Sequence, residues 1–254
     1  MTKRRVTVIG TLTLLLIANA RTQVWLGGDD FDASVLDLSR WTFDGSSLPN
    51  SSSNLIKTSS DITFLSTSGI GEQYGVLFWK EKLPLDSDWS ATIHASISPL
   101  YQPSSPGGYV EALISVIQDM NTFSNYFTQT LHRNIFTSVS TDWAIAGQSS
   151  FTAVPASFDS GLLRINYRSM DKTLTALYAE DANPSNFTIS KKIAIDSWTN
   201  GGDLNLAIGG YSFNSTITSG LLTLDNITIV PEPSSLSLLA IGLGVLFRRS
   251  RKRD

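Results

Sequence analysis

The sequence predicts an all-β body, folded as a sandwich or barrel of antiparallel strands. Three observations carry that expectation. Short segments alternate apolar and polar residues at period two, as in Ser90-Ala91-Thr92-Ile93-His94-Ala95-Ser96-Ile97. Clusters of Gly, Pro, Asn and Asp separate them. No long stretch repeats its apolar residues at the spacing of a helix face.

The chain opens with MTKRRVTVIGTLTLLLIANA, residues 1–20. Lys3, Arg4 and Arg5 form a basic start, Val6 to Ile17 an apolar run, and Ala18-Asn19-Ala20 a small-residue end. That order is a secretory signal peptide, removed by signal peptidase; a retained anchor is the alternative. The body then spans residues 21–230. Strands are expected at 74–81, 90–97, 109–118, 126–139, 187–195, 204–211 and 221–229. Between these lies a hairpin. Leu163-Arg164-Ile165-Asn166-Tyr167-Arg168 goes out, Ser169-Met170-Asp171-Lys172 turns, and Thr173-Leu174-Thr175-Ala176-Leu177-Tyr178 returns. Its inner face is Leu163, Ile165, Tyr167, Leu174, Ala176 and Tyr178. Two segments break the pattern most strongly, Gly45 to Asn54 and Pro99 to Gly108. Prolines in the second remove ladder donors, so it is a loop.

The C-terminus reads VPEPSSLSLLAIGLGVLFRRSRKRD. Leu236 to Phe247 is uncharged but only 12 residues long, whereas a bilayer crossing takes about 20. Gly242 and Gly244 weaken it as a helix by about 1 kcal/mol each relative to Ala. Arg248, Arg249, Arg251, Lys252 and Arg253 follow, and such a cluster stays on the cytoplasmic side. The body therefore lies outside, held transiently by residues 236–247. Pro231-Glu232-Pro233, the apolar run and the Arg248-Arg249 cluster together resemble the PEP-CTERM sorting signal (residues 231–254). The resemblance implies export in a Gram-negative-type bacterium that makes exopolysaccharide. It also implies processing by exosortase, a membrane-embedded transpeptidase-like enzyme, and delivery to the envelope or extracellular matrix. It says nothing of the domain that is delivered.

Without its two ends the chain holds 11 Lys or Arg against 20 Asp or Glu, a net charge of −9. Nucleic acid, which calls for a basic patch, is not an expected partner. The absence of cysteine excludes disulfides, thiolate metal sites and cysteine nucleophiles. His94 and His132 are the only histidines, too few for a His-rich zinc site.

Three pieces of the body resemble concanavalin A-like (laminin G-like) jelly rolls. Asp29-Asp30-Phe31-Asp32 with Leu36-Asp37-Leu38-Ser39-Arg40-Trp41 is similar to their opening strand and turn. LLRINYRSMDKTLTALYAE is similar to their long central hairpin, and Leu224-Asp225-Asn226-Ile227-Thr228-Ile229 to the closing strand beside the first. The implied fold is a two-sheet antiparallel jelly-roll sandwich, with immunoglobulin-like sandwiches as the alternative. Members include lectins, glycan-binding modules and β-glucan hydrolases.

The hydrolases of that fold carry Glu, an Asp two residues on and a second Glu two or three later on one strand face. Paired carboxylates let one attack while the other protonates. The body has Glu72, Glu81, Glu111 and Glu180. Only Glu111 falls in a central strand, and Leu113, Ser115 and Val116 follow it, so it reads as an edge or solvent-facing residue. No nucleophile elbow, P-loop or dinucleotide fingerprint occurs. His132 reads as a surface hydrogen-bonding group. The expectation is a non-catalytic protein that binds exopolysaccharide or serves as a structural component; a polysaccharide hydrolase or lyase is the rival. Tyr101 and Tyr109, flanking the proline-rich loop, are the candidate sugar-stacking rings. No cofactor is expected. Asp30 and Asp225 would meet if first and last strands pair, and are the candidate ligands of a structural calcium; solvent-facing strand-end aspartates are the favoured alternative.

Overall fold

The computed structural model describes residues 27–43, 54–67, 69–118, 125–198 and 204–231. They form fifteen strands: β1 (Gly27–Asp29), β2 (Trp41–Thr42), β3 (Leu55–Lys57), β4 (Ile62–Phe64), β5 (Glu72–Trp79), β6 (Trp89–Ile97), β7 (Tyr109–Ile117), β8 (Tyr126–Arg133), β9 (Thr137–Ile145), β10 (Gln148–Pro155), β11 (Ser160–Arg168), β12 (Thr173–Glu180), β13 (Thr188–Ala194), β14 (Asn205–Phe213) and β15 (Leu222–Pro231). A 3₁₀ turn, Asp196–Trp198, joins β13 towards β14.

One sheet has the order β13-β12-β11-β6-β15-β4-β3, with β1 also paired to β15; the other runs β10-β9-β8-β7-β14-β5-β2. Every described pairing is antiparallel. The two sheets face each other as a jelly-roll sandwich. Period-two alternation builds the core between them. On β7, Val110, Ala112, Ile114 and Val116 are fully buried, and Tyr109, Glu111 and Leu113 point the other way. On β6, Trp89, Ala91, Ile93, Ala95 and Ile97 face inward with no exposed surface. Each such Val or Ile side chain stabilises the fold by about 1.5–3 kcal/mol.

The expected hairpin forms with the expected inner face. Leu163 pairs with Tyr178, Ile165 with Ala176 and Tyr167 with Leu174. First and last strands also meet, Gly27 opposite Ile229 and Asp29 opposite Ile227. Asp29 Oδ2 accepts a 2.9 Å hydrogen bond from Trp41 Nε1, and the Trp41 ring stands edge-on to Trp79 at 5.0 Å. This ties the opening turn to both sheets.

Two strand expectations are corrected. The expected strand at 126–139 is two strands, because Asn134 Oδ1 accepts the backbone N–H of Phe136 and turns the chain. The opening strand stops at Asp29, and Asp30 to Asp32 lie beyond it. Strand β10 was not expected. It returns through Ala146-Gly147, both at positive φ (50° and 80°), a two-residue hairpin loop of the mirror-image type. Ala is a rare choice there, so the turn carries little sequence signal.

Gly75 lies opposite Gly210 in the β5–β14 pairing. A Cβ at Gly210 would stand 2.3 Å from the Phe64 ring, and one at Gly75 would stand 3.0 Å from it. Phe64, on the opposite sheet and fully buried, therefore packs on bare backbone. The ladder of β15 ends with Pro231 opposite Trp89. Glu232, Pro233, the apolar run with its expected helix, Arg248 and Arg249 lie outside the described residues, as do the signal peptide and residues 45–53. Among the described residues no helix is long and apolar enough to cross a membrane.

Candidate functional site

Antiparallel register aligns residues of equal parity into rows across the outer face of the seven-stranded sheet. One row runs Ala207, Ser115, Thr128, Asp142, Phe151. The next is Gly209, Leu113, Thr130, Ser140, Ala153, and the third Tyr74, Tyr211, Glu111, His132, Ser138. Two central rows of mostly small side chains lie between bulky ones. The result is a groove of about 380 Å³ with Tyr74, Tyr109 and Tyr211 on one side, Tyr126 on the other and Phe151 at the β10 end.

The floor mixes paired hydroxyls with apolar side chains such as Leu113 and Ala207. Ser115 Oγ and Thr128 Oγ1 are 2.7 Å apart, and Thr130 Oγ1 and Ser140 Oγ 2.5 Å. The tyrosine wall is a packed ring cluster: Tyr74 lies 4.6 Å from Tyr211, Tyr211 5.5 Å from Tyr109, and Tyr109 4.8 Å from the His132 ring. Tyr109 Oη donates to Tyr211 Oη at 3.4 Å, and Tyr74 Oη to Glu72 Oε2 at 3.2 Å. Burial pushes the Tyr74, Tyr109 and Tyr211 hydroxyls above their ordinary pKa, so they stay neutral. On the other side Tyr126 Oη donates to Asp142 Oδ2 at 2.9 Å. Burial, then the Asp142 carboxylate, pushes the Tyr126 hydroxyl up.

Glu111 falls in a central strand as expected, but it is neither at an edge nor open to solvent. Its side chain is 17% exposed, and its Oε1 lies 2.9 Å from His132 Nδ1. Asp142 sits two strands from β7, in the row of Ser115, four residues along from Glu111. At about 4.8 Å per strand and 3.4 Å per residue, their backbones are about 17 Å apart. Double-carboxylate hydrolysis works at roughly 5–5.5 Å or 6.5–9.5 Å between carboxyl groups. Glu72 is likewise two strands and two residues from Glu111, about 12 Å at the backbone, with tyrosine rings between them.

Tyr109 lines the groove as a half-buried ring. Tyr101 does not: it is 1% exposed, and its hydroxyl is 2.7 Å from Ser215 Oγ. The loop it introduces folds over the core and takes the ring with it, so no sugar can stack there. Trp79, Trp89 and Trp198 are core residues. Asp30 Oδ1 accepts the N–H of Asp32, and both Asp225 oxygens accept from Asn226. Burial raises the Asp225 pKa, and the charges it feels are those of His94, Asp32 and Asp61. Among the described residues, no group of three or more His, Asp or Glu side chains stands ready for a metal ion. The floor hydroxyls escaped the sequence reading because they come from three strands. Their only local signal is Ser or Thr at alternate positions of β8.

A second polar cluster lies on the outer face of the other sheet. His94 Nε2 is 3.0 Å from Asp181 Oδ1 and 3.1 Å from Ser160 Oγ, and Ser160 Oγ donates to Asp181 Oδ2 at 2.6 Å. It has the composition of a nucleophile triad without its geometry. One ring nitrogen faces both partners, so the imidazole cannot relay a proton from hydroxyl to carboxylate.

The fold is a two-sheet antiparallel jelly-roll sandwich. Solved structures with similar folds include Bacteroides ovatus Xyloglucan PUL GH43B (15% identity, TM-score 0.57, 84% of this chain and 41% of that one). The endo-1,3-β-glucanase of Streptomyces sioyaensis is similar at 11% identity and TM-score 0.57, over 82% of this chain and 95% of that one. Lectin II from Ulex europaeus is similar at 10% identity and TM-score 0.53, over 82% and 99%. The chain spans about two fifths of the length of the GH43 protein. No curated protein matches it in sequence. Residues 230–253 match the PEP-CTERM protein-sorting motif, which marks an exported protein processed by exosortase.

Proposed function

We propose that this protein is a non-catalytic glycan-binding component of the envelope or exopolysaccharide matrix of a Gram-negative-type bacterium. The groove on the seven-stranded sheet is the binding site. The observation that carries the reading is a floor with paired serine and threonine hydroxyls flanked by neutral tyrosine rings. Rings offer apolar faces to sugar C–H groups, and hydroxyls and carboxylates hydrogen-bond to sugar hydroxyls. Among the described residues, Glu111 and Asp142 line the groove and no Lys or Arg does. An acidic groove disfavours uronic-acid polymers, so the ligand is a neutral polysaccharide. Glu111, Asp142 and Glu72 come from three different strands rather than two residues apart on one strand face, which favours binding without hydrolysis. Similarity to both hydrolases and a lectin is compatible with either activity.

The test is gel electrophoresis of the protein through neutral polysaccharides, with reducing ends assayed after long incubation. Retardation without new reducing ends is expected. Release of reducing ends that stops in Glu111→Gln would favour the hydrolase reading instead.

A further inference from the structure

The two sheets end in edge strands of very different character. Edges β2 and β3 are two and three residues long. Edge β13 carries Lys191 and Lys192, and its pairing with β12 slips at Ala176/Leu177. Short length, lysines, prolines and bulges are the devices that stop a sheet edge from recruiting another strand. Strand β10 has only a proline, at its last position, Pro155. Gln-Ser-Ser-Phe-Thr-Ala-Val-Pro is uncharged throughout, pairs with β9 in unbroken register over eight residues, and is largely exposed. Phe151 at its centre is 58% exposed.

We propose that β10 is an interaction edge that pairs antiparallel with β10 of a second copy of this chain. The body carries a net charge of −9, so two copies repel over most of their surfaces. A twofold contact sets each residue against its own symmetry-related set, and the uncharged β10 brings no like charges together. An axis at Phe151 places the two rings opposite each other, with Ser149 against Ala153 and Ser150 against Thr152. Aromatic pairs directly across an antiparallel ladder are favourable. The free N–H and C=O groups of each strand find partners, and Pro155, which has no N–H to give, ends the ladder. The two seven-stranded sheets become one. Phe151 also borders the groove, so the two grooves run end to end and a polymer can lie along both. The pairing itself does not depend on what fills the groove.

The chain has no cysteine, so single introduced cysteines report unambiguously. Ser149→Cys, Phe151→Cys and Ala153→Cys would be produced in the full chain and oxidised in the intact producing cells. Directly opposed residues of such a pair are about 4.5–5.5 Å apart at Cα, within disulfide reach. Covalent dimer should peak at Phe151→Cys and fall on either side. Ile189→Cys, equally exposed on β13, should give at least tenfold less. Adding Ala153→Lys to Phe151→Cys should reduce the dimer to that control level. Cross-linking at β10 no greater than at Ile189, or unchanged by the lysine, would overturn the proposal. Failure of the unsubstituted protein to bind neutral glycan, with the Phe151→Cys cross-link still forming, would count against the groove reading alone.

Discussion

Single residues set how closely the sheets approach. Phe64 reaches the backbone of the opposite sheet because Gly75 and Gly210 face each other there. Gly210→Ala places a methyl group into that ring, and overpacking of a filled core costs about 1–3 kcal/mol. Denaturant unfolding should show that loss, and combining it with Phe64→Leu should cost less than the sum of the two single changes. A second residue-scale expectation concerns pH. Partial burial opposes ionisation of Asp181, but hydrogen bonds from Ser160 and His94 outweigh it and hold the carboxyl below its ordinary pKa. A carboxyl with a depressed folded pKa contributes stability that is complete above its unfolded pKa and lost as pH falls through the folded one. Asp181→Ala should therefore be destabilising at neutral pH, and the difference should shrink below about pH 3.9. Unfolding midpoints at the two pH values decide it; a constant difference would remove the carboxylate from the account. Asp181 is about half exposed, so solvent screening keeps the effect small.

At the scale of elements, the β9–β10 hairpin bends through Ala146 at φ 50°. A Cβ is unfavourable in that region. Ala146→Gly removes the clash, partly offset by the entropy of the unfolded chain, and should stabilise by about 0.5–1 kcal/mol. A lower melting midpoint would show that the turn is held differently. The same hairpin marks the limit of what the sequence reveals. Strands with clean alternation and a large inward side chain, such as Leu163-Ile165-Tyr167, were legible down to their inner face. Strand β10 buries little, so its pattern QSSFTAVP carries no inside and outside. The groove was half legible. Tyr109 could be named from its place beside a loop, but the same argument selected Tyr101, which the fold buries. Local sequence does not say over which layer a loop will close. Ser115, Thr128, Thr130 and Ser140 come together only through register, and register is a property of the whole sheet.

The whole molecule joins an export address to a sandwich with an open groove. The last strand of the fold runs straight into the sorting motif, Pro231 pairing with Trp89. Removal of both targeting ends predicts a mature protein that begins near Arg21 and ends near the Pro-Glu-Pro segment. Intact mass from a host that has the sorting enzyme should show those termini. Retention of FRRSRKRD would contradict the exosortase reading.

The most direct measurement of the central claim is calorimetric titration of neutral oligosaccharides into the protein, beside oligosaccharides of uronic acids. The account predicts saturable binding of a neutral ligand, little heat from the uronic acids, and affinity at least about tenfold weaker (~1.4 kcal/mol) in Tyr211→Ala, which removes the centre of the ring cluster. Equal affinity of wild type and Tyr211→Ala, or preference for the uronic acids, would contradict it.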